Sequence, residues 1–103
     1  MKLSVIIPVK DEADNIVPLL EELRAAMGEA SDWEVLVVDD GSHDDGPARV
    51  NALAAAGYPA LRLLRHARSL GQSAALRSGA RAASGEWLGT LDGDGQNDPA
   101  DLA

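Results

Sequence analysis

The sequence predicts an α/β protein built on a doubly wound parallel sheet, and three observations carry that prediction. Short, nearly continuous apolar runs rich in β-branched residues alternate with stretches whose apolar residues recur at helical spacing. Each apolar run ends in a polar or charged turn. Prolines and glycines fall where helices of such units begin and end. Alternation through four strands implies right-handed crossovers and hence a parallel sheet.

Leu3-Ser4-Val5-Ile6-Ile7-Pro8-Val9 is the first strand, buried on both faces. After the polar turn Lys10 to Asp14, the residues Ile16, Leu19, Leu20, Leu23 and Met27 form one apolar helical stripe. Asp11 or Asp14 caps that helix, Pro18 is tolerable only near its first turn, and Gly28 ends it. Trp33 to Val38 repeats the buried-strand pattern and runs into Asp39-Asp40-Gly41-Ser42. A second helix is expected from about Asp45 to Ala56, with Pro47 in its first turn and Gly57 after its end. Leu61-Arg62-Leu63-Leu64-Arg65 carries interspersed arginines and reads as a sheet edge. A third helix over Gly71 to Ser84 presents small residues, Gly85 stops it, and Trp87 to Leu91 is the fourth strand. Trp33 and Trp87 begin strands and are expected in the core or at its rim.

The chain has 103 residues, enough for one small domain or part of one. With no Phe, and with two Trp and one Tyr as its aromatics, aliphatic residues and Ala must fill the core. Nine basic and 17 acidic residues give a net charge of −8, which argues against nucleic acid as a partner. Without cysteine there is no disulfide and no thiolate metal site. No segment approaches the roughly 18 apolar residues of a membrane span. Residues 1–9 are too short for a secretory signal, so a cytoplasmic location is expected. The last residues, Pro99 to Ala103, look like the opening turn of a helix, as in a fragment of a longer protein. A parallel sheet stopping at its fourth strand would expose an edge and apolar helix faces, an arrangement prone to self-association.

Ligands of open parallel sheets bind beyond the carboxyl ends of the strands. Those ends carry Pro8 to Glu12, Asp39 and Asp40, Arg65 to Arg68, and Asp92 and Asp94, so four strands deliver polar groups to one rim. In Asp92-Gly93-Asp94 the glycine lets two carboxylates bend toward one cation, and such hard oxygen ligands suit Mg²⁺ or Mn²⁺ bridging to phosphates. A solvated Asp-Gly turn is the plainer alternative. There is no glycine-rich phosphate loop, so a bound diphosphate would depend on the metal, with Arg65 or Arg68 assisting. Asp39 stands where it could accept hydrogen bonds from a nucleobase; equally, Asp39 or Asp40 could cap the following turn. The arginines 62, 65 and 68 also read as protection of a sheet edge, and His43 and His66 as solvated or capping turn residues.

These residues fall in an order that resembles glycosyltransferase family 2. Ser4 to Glu12 is similar to that family's SVIIPVYNE opening, and Val37 to Ser42 with Asp44 to its VVDDGSxD. Arg68 to Ala75 is similar to RNxGxxxA, Gly79 to Gly85 to GxxxAxG, and Leu91 to Pro99 to MDADLQDPP. Gln96 and Asp98-Pro99 are most like the polyprenyl-phosphate (dolichol-phosphate mannosyltransferase-like) branch. The resemblance implies that residues 1–103 form the Rossmann-like, N-terminal nucleotide-binding half of a GT-A fold, with the acceptor half absent. It implies a UDP- or GDP-linked sugar donor, Mg²⁺ or Mn²⁺ as cofactor, and a lipid-phosphate acceptor. Pro8, Lys10 and Glu12 would line the nucleotide pocket, with Val37 and Asp39 at base or ribose. Asp92 and Asp94 would hold the metal against the diphosphate, with Gly93 between them and Gln96 nearby. Any catalytic base would lie beyond residue 103, as would any membrane contact, and the whole protein would work at the cytoplasmic face of the membrane. Lys10 for the usual Tyr and Ser69 for the usual Asn are departures from the pattern.

Other readings fare less well. A haloacid-dehalogenase-type phosphatase shares Asp-x-Asp after an apolar strand but wants Thr or Val where Gln96 stands. A receiver module would carry its acidic pair after the first strand, not the second. A calcium loop from Asp92 lacks the needed Gly and Glu, since Asn97 and Ala103 occupy those positions. A non-catalytic nucleotide- or metal-binding fragment is the main alternative to an enzyme.

Overall fold

A computed structural model describes residues 2–92. The elements follow in the expected alternation: β1 (Leu3–Val9), α1 (Ala13–Met27), β2 (Trp33–Asp39), α2 (Gly46–Ala55), β3 (Leu61–Arg65), α3 (Gln72–Ala82) and β4 (Trp87–Thr90). All strand pairings are parallel, in the order β3-β2-β1-β4. β3 is an edge strand, as its arginines predict. The chain therefore walks outward from β1 to β3 and then returns to the other side of β1. The strand order reverses between β1 and β4, which is where sheets of this kind hold ligands.

Strand periodicity sorts the core into two layers. Val5, Ile7, Val9, Val35 and Val37 face α1 and α2, where they meet Ile16, Leu19, Leu20, Leu23, Val50 and Tyr58. Ile6, Leu36 and Val38 face the other way, toward Ala75 of α3. Tyr58 compensates for the lack of Phe: its ring packs edge-on against Trp33 at 6.0 Å, and its buried hydroxyl donates to the Leu20 carbonyl at 2.8 Å. Trp87, in contrast, is 59% exposed on β4 and does not pack the core.

The small-residue face of α3 has a specific use. A Cβ added at Gly79 would sit 2.5 Å from Ile6 Cγ2 and 3.3 Å from Val38 Cγ2, so this glycine lets the helix backbone press onto β1. Helix α1 begins differently from expectation. Neither Asp11 nor Asp14 caps it; the Ala13 N–H donates instead to Asp44 Oδ2 from the β2–α2 loop, at 3.0 Å. The other oxygen of Asp44 accepts from Gly46 N at 2.9 Å, so one carboxylate serves the starts of two helices. Pro18 lies inside α1 rather than in its first turn. It is exposed, so the carbonyl it leaves without a helical partner faces water.

Glu34 is a buried charge on β2. Its carboxylate accepts from Ser4 Oγ (2.7 Å), Ser84 N (2.7 Å), Ser84 Oγ (2.8 Å) and Arg62 Nη1 (3.1 Å). Burial alone would raise its pKa, but those hydrogen bonds outweigh it and hold the group at about 2 against an ordinary 4.5.

Two predictions follow from this packing. Gly79→Ala, which in an open helix would stabilise by about 1 kcal/mol, should instead lower unfolding free energy by ~1–3 kcal/mol through overpacking against Ile6. Urea denaturation reads the sign. The lowered pKa of Glu34 makes its ionised form a folded-state stabiliser above pH 4.5 that fades as pH falls toward about 2. The stability difference between the native chain and Glu34→Gln should therefore shrink across that acid window and be flat from pH 5 to 7.

Candidate functional site

The carboxyl ends of the strands build a cleft of about 450 Å³. Pro8, Lys10 and Glu12, following from β1, form one wall, and Ser69, Gly71 and Gln72 ahead of and within α3 form the other. Asp40, after β2, and Asp92, leaving β4, lie on the lining as well. The cleft thus straddles the β1–β4 reversal. Of the residues singled out from sequence, Pro8, Lys10, Glu12 and Asp92 come together here.

Val37 does not. It is 0% exposed, packed between the sheet and helices α1 and α2, and is a core residue. The reason is register: odd-numbered residues of β2 point into that layer, and Val37 is still well inside the strand. Gly93, Asp94 and Gln96 lie outside the described residues.

The two adjacent aspartates that end β2 separate by the same alternation. Asp39 is 1% exposed on the side of α1 and α2. Its Oδ2 accepts from Ser42 N at 3.1 Å, the turn-capping role that is one of its two expected alternatives, with Arg65 Nε at 3.9 Å. Its Oδ1 is buried without a hydrogen-bond partner among the described residues. An orphaned carboxylate oxygen at this depth is costly, and its donor is not among the described residues. Ser42 and Arg65 border a second cavity of about 320 Å³.

Asp40 turns the other way and is saturated. It accepts from His66 Nδ1 (2.8 Å), Leu70 N (2.8 Å), Ser69 Oγ (2.9 Å) and Gly71 N (2.9 Å). Burial opposes its ionisation, yet these bonds hold the carboxyl far below the usual range. His66 is accordingly a partnered, nearly buried side chain and not the solvated turn residue its position suggests. Arg68 is exposed, and Arg62 is bonded to Glu34.

The loops are braced against each other. Asp11, at φ 53°, donates its N–H to Ser42 Oγ (2.8 Å) and accepts from His43 N (2.7 Å), which ties the β1–α1 loop to the β2–α2 loop. Gly41, at φ 76°, brings the latter against the β3–α3 loop, since a Cβ there would meet Ser69 N at 2.6 Å. The rim is therefore preformed.

Among the described residues no three His, Asp or Glu side chains converge as a self-sufficient metal cage. Asp40 has no oxygen to spare. Asp92 lies on the cleft lining, and its carboxylate is the hard-oxygen donor type that suits a cation keeping waters and completing its shell with ligand phosphates. Sequence reasoning found the Arg68 to Ala75 motif but not its place as the second wall. Its position just after β3, at the carboxyl margin, was the available signal.

Comparison with known proteins identifies relatives of this chain. The chain is 40% identical over 105 aligned residues to a dodecaprenyl-phosphate galacturonate synthase of Rhizobium johnstonii, covering 99% of this chain and 30% of that protein. It is 38% identical to an undecaprenyl-phosphate 4-deoxy-4-formamido-L-arabinose transferase of Aeromonas hydrophila, covering 96% and 31%. The mannosyltransferase PcManGT from Pyrobaculum calidifontis, solved with GDP-Man and Mn²⁺, superposes with a TM-score of 0.84 at 32% identity, over 90% of this chain and 27% of that one. The chain thus spans about 30% of the length of the curated relatives it matches. Its parallel α/β sheet is that of the GT-A glycosyltransferases. The profile of glycosyl transferase family 2 matches residues 4–103, and the chain belongs to that family.

Proposed function

We propose that this chain is the nucleotide-sugar-binding half of an enzyme that transfers a sugar from a nucleoside diphosphate to a polyprenyl phosphate. The observation that carries the reading is the buried, unpartnered Oδ1 of Asp39 at the carboxyl margin of the sheet that also presents Asp92. A nucleobase N–H would satisfy that oxygen, while Pro8, Lys10 and Glu12 would border the nucleotide. Asp92, with Gly93 and Asp94, would hold Mg²⁺ or Mn²⁺, and Gln96 would stand beside them. When bound, the cation would neutralise the diphosphate and ease its departure. Lys10 would add positive charge to a chain that is otherwise strongly acidic.

Because Oδ2 of Asp39 is taken by Ser42, one oxygen is open. Uracil offers a carboxylate one imide N–H, whereas guanine turns an N–H and an amino group toward it. The open oxygen therefore favours a uridine diphosphate sugar. The acceptor class rests on the polyprenyl-phosphate relatives. A phosphate acceptor is already ionised at neutral pH, so its oxygen would attack the anomeric carbon as the bond to the diphosphate breaks, with inversion and without a general base. The acceptor site, any membrane contact at the cytoplasmic face and any self-association of the chain belong to the same proposal.

Titration calorimetry with UDP and GDP in the presence of Mn²⁺ tests the reading. UDP should bind more tightly, and Asp39→Asn should weaken UDP by roughly 10–100-fold, the worth of a hydrogen bond to a charged group. The Asn carbonyl keeps the Ser42 contact, so melting temperature should change little. Undiminished UDP binding by this variant would sink the base assignment. Chelating the metal should weaken UDP at least tenfold and leave uridine unaffected, because only the diphosphate needs the cation; equal losses for both ligands would contradict the placement of the metal.

A further inference from the structure

We propose that Asp40 and His66 are a positioning pair that fixes the α3-side wall of the cleft, so that His66 governs donor affinity without touching the donor. This rests on the nucleotide-binding reading above.

Four donors reach Asp40 from a span of six residues, 66 to 71. Two of them, Leu70 N and Gly71 N, lie just ahead of α3, where backbone N–H groups have no helical acceptor. Gly71, the residue before the helix, has φ 98° and provides no side-chain cap of its own. A carboxylate at the end of β2 thus does the capping for a helix that starts some thirty residues later.

His66 extends that grip along the helix. Its Nε2 lies 2.8 Å from the hydroxyl of Ser78, in the body of α3, while Nδ1 faces Asp40 at 2.8 Å. A neutral ring protonated at Nδ1 satisfies both, donating to the carboxylate and accepting from the Ser78 O–H. The side chain is 11% exposed and lies off the lining of the cleft, bordering the second cavity instead, whereas Ser69, Gly71, Gln72 and Ala75 are on the cleft. On the far side of the same loop, the Gly41 backbone leaves no room beside Ser69 N. The wall is held by hydrogen bonds on one side and by contact on the other. Removing the imidazole would release only the first.

Two near-isosteric variants separate the two bonds. In His66→Asn the amide nitrogen takes the place of Nδ1 and keeps the donor to Asp40; in His66→Gln it takes the place of Nε2 and loses that donor. Measured with UDP and Mn²⁺ on the 103-residue chain, well below each melting temperature, His66→Asn should bind within about twofold of the native chain and His66→Gln about tenfold more weakly, one lost charge-assisted hydrogen bond. Ser78→Ala should lower the melting temperature with little change in affinity. Rescue by Asn but not Gln is a pattern that a purely structural role would not give. Equal affinity of the Asn and Gln variants, or a weaker Asn variant, overturns the proposal while leaving nucleotide binding intact. A native chain that binds no UDP overturns the functional reading and this one with it.

Discussion

The parallel pairing of β1 with β2, in register from Leu3 opposite Trp33 to Val9 opposite Asp39, is the constraint on which the rest of the molecule depends. Both strands are buried on two faces, so neither can slip by one residue without sending core side chains to the wrong layer. That fixed register ends both strands at the same level and sets the loops after them side by side. The Asp11, Ser42 and His43 hydrogen bonds then join those loops, and Asp44 anchors the helices they lead into. The cleft follows from the sheet: once β4 is added beside β1, its carboxyl end places Asp92 across from Lys10 and Glu12.

A chain this acidic must manage its own carboxylates, and several of them have internal work. Glu34, Asp40 and Asp44 each accept hydrogen bonds through both oxygens, which spreads their charge over backbone and side-chain donors within the fold. Such groups hold elements together and have little left for a ligand. The contrast with the open oxygen of Asp39 is what makes that atom informative, since in a chain of 17 acidic residues acidity alone would not distinguish it.

Much of this was legible in the sequence, because it depends on period and punctuation. The parallel sheet could be anticipated from alternation, the edge position of β3 from Arg62 and Arg65, and the rim from the polar groups that follow each apolar run. What escaped depends on contacts between residues far apart in the chain. Nothing near His66 in sequence announces Asp40 or Ser78, and nothing near Ala13 announces Asp44. Pro18 was misjudged because local rules treat a proline inside a helix as a break, whereas α1 carries it on its exposed side, where water can reach the carbonyl left without a helical donor. Val37 was assigned to the site by motif alone, yet strand parity places it in the core with Val35.

The same parity explains why the adjacent aspartates of one motif have opposite fates. Asp39 continues the face of Val35 and Val37 and emerges among the loops before α1 and α2, where Ser42 occupies one oxygen and no other described group reaches the second. Asp40 continues the face of Leu36 and Val38 and meets the β3–α3 loop, whose N–H and O–H donors consume it entirely. One residue of shift along β2 would exchange an oxygen with no described partner for fully bonded ones. The different surroundings of the two aspartates are therefore set by the pleat of the strand, and the glycine at 41 that follows it is needed because the two loops the aspartates serve must pass within contact of each other.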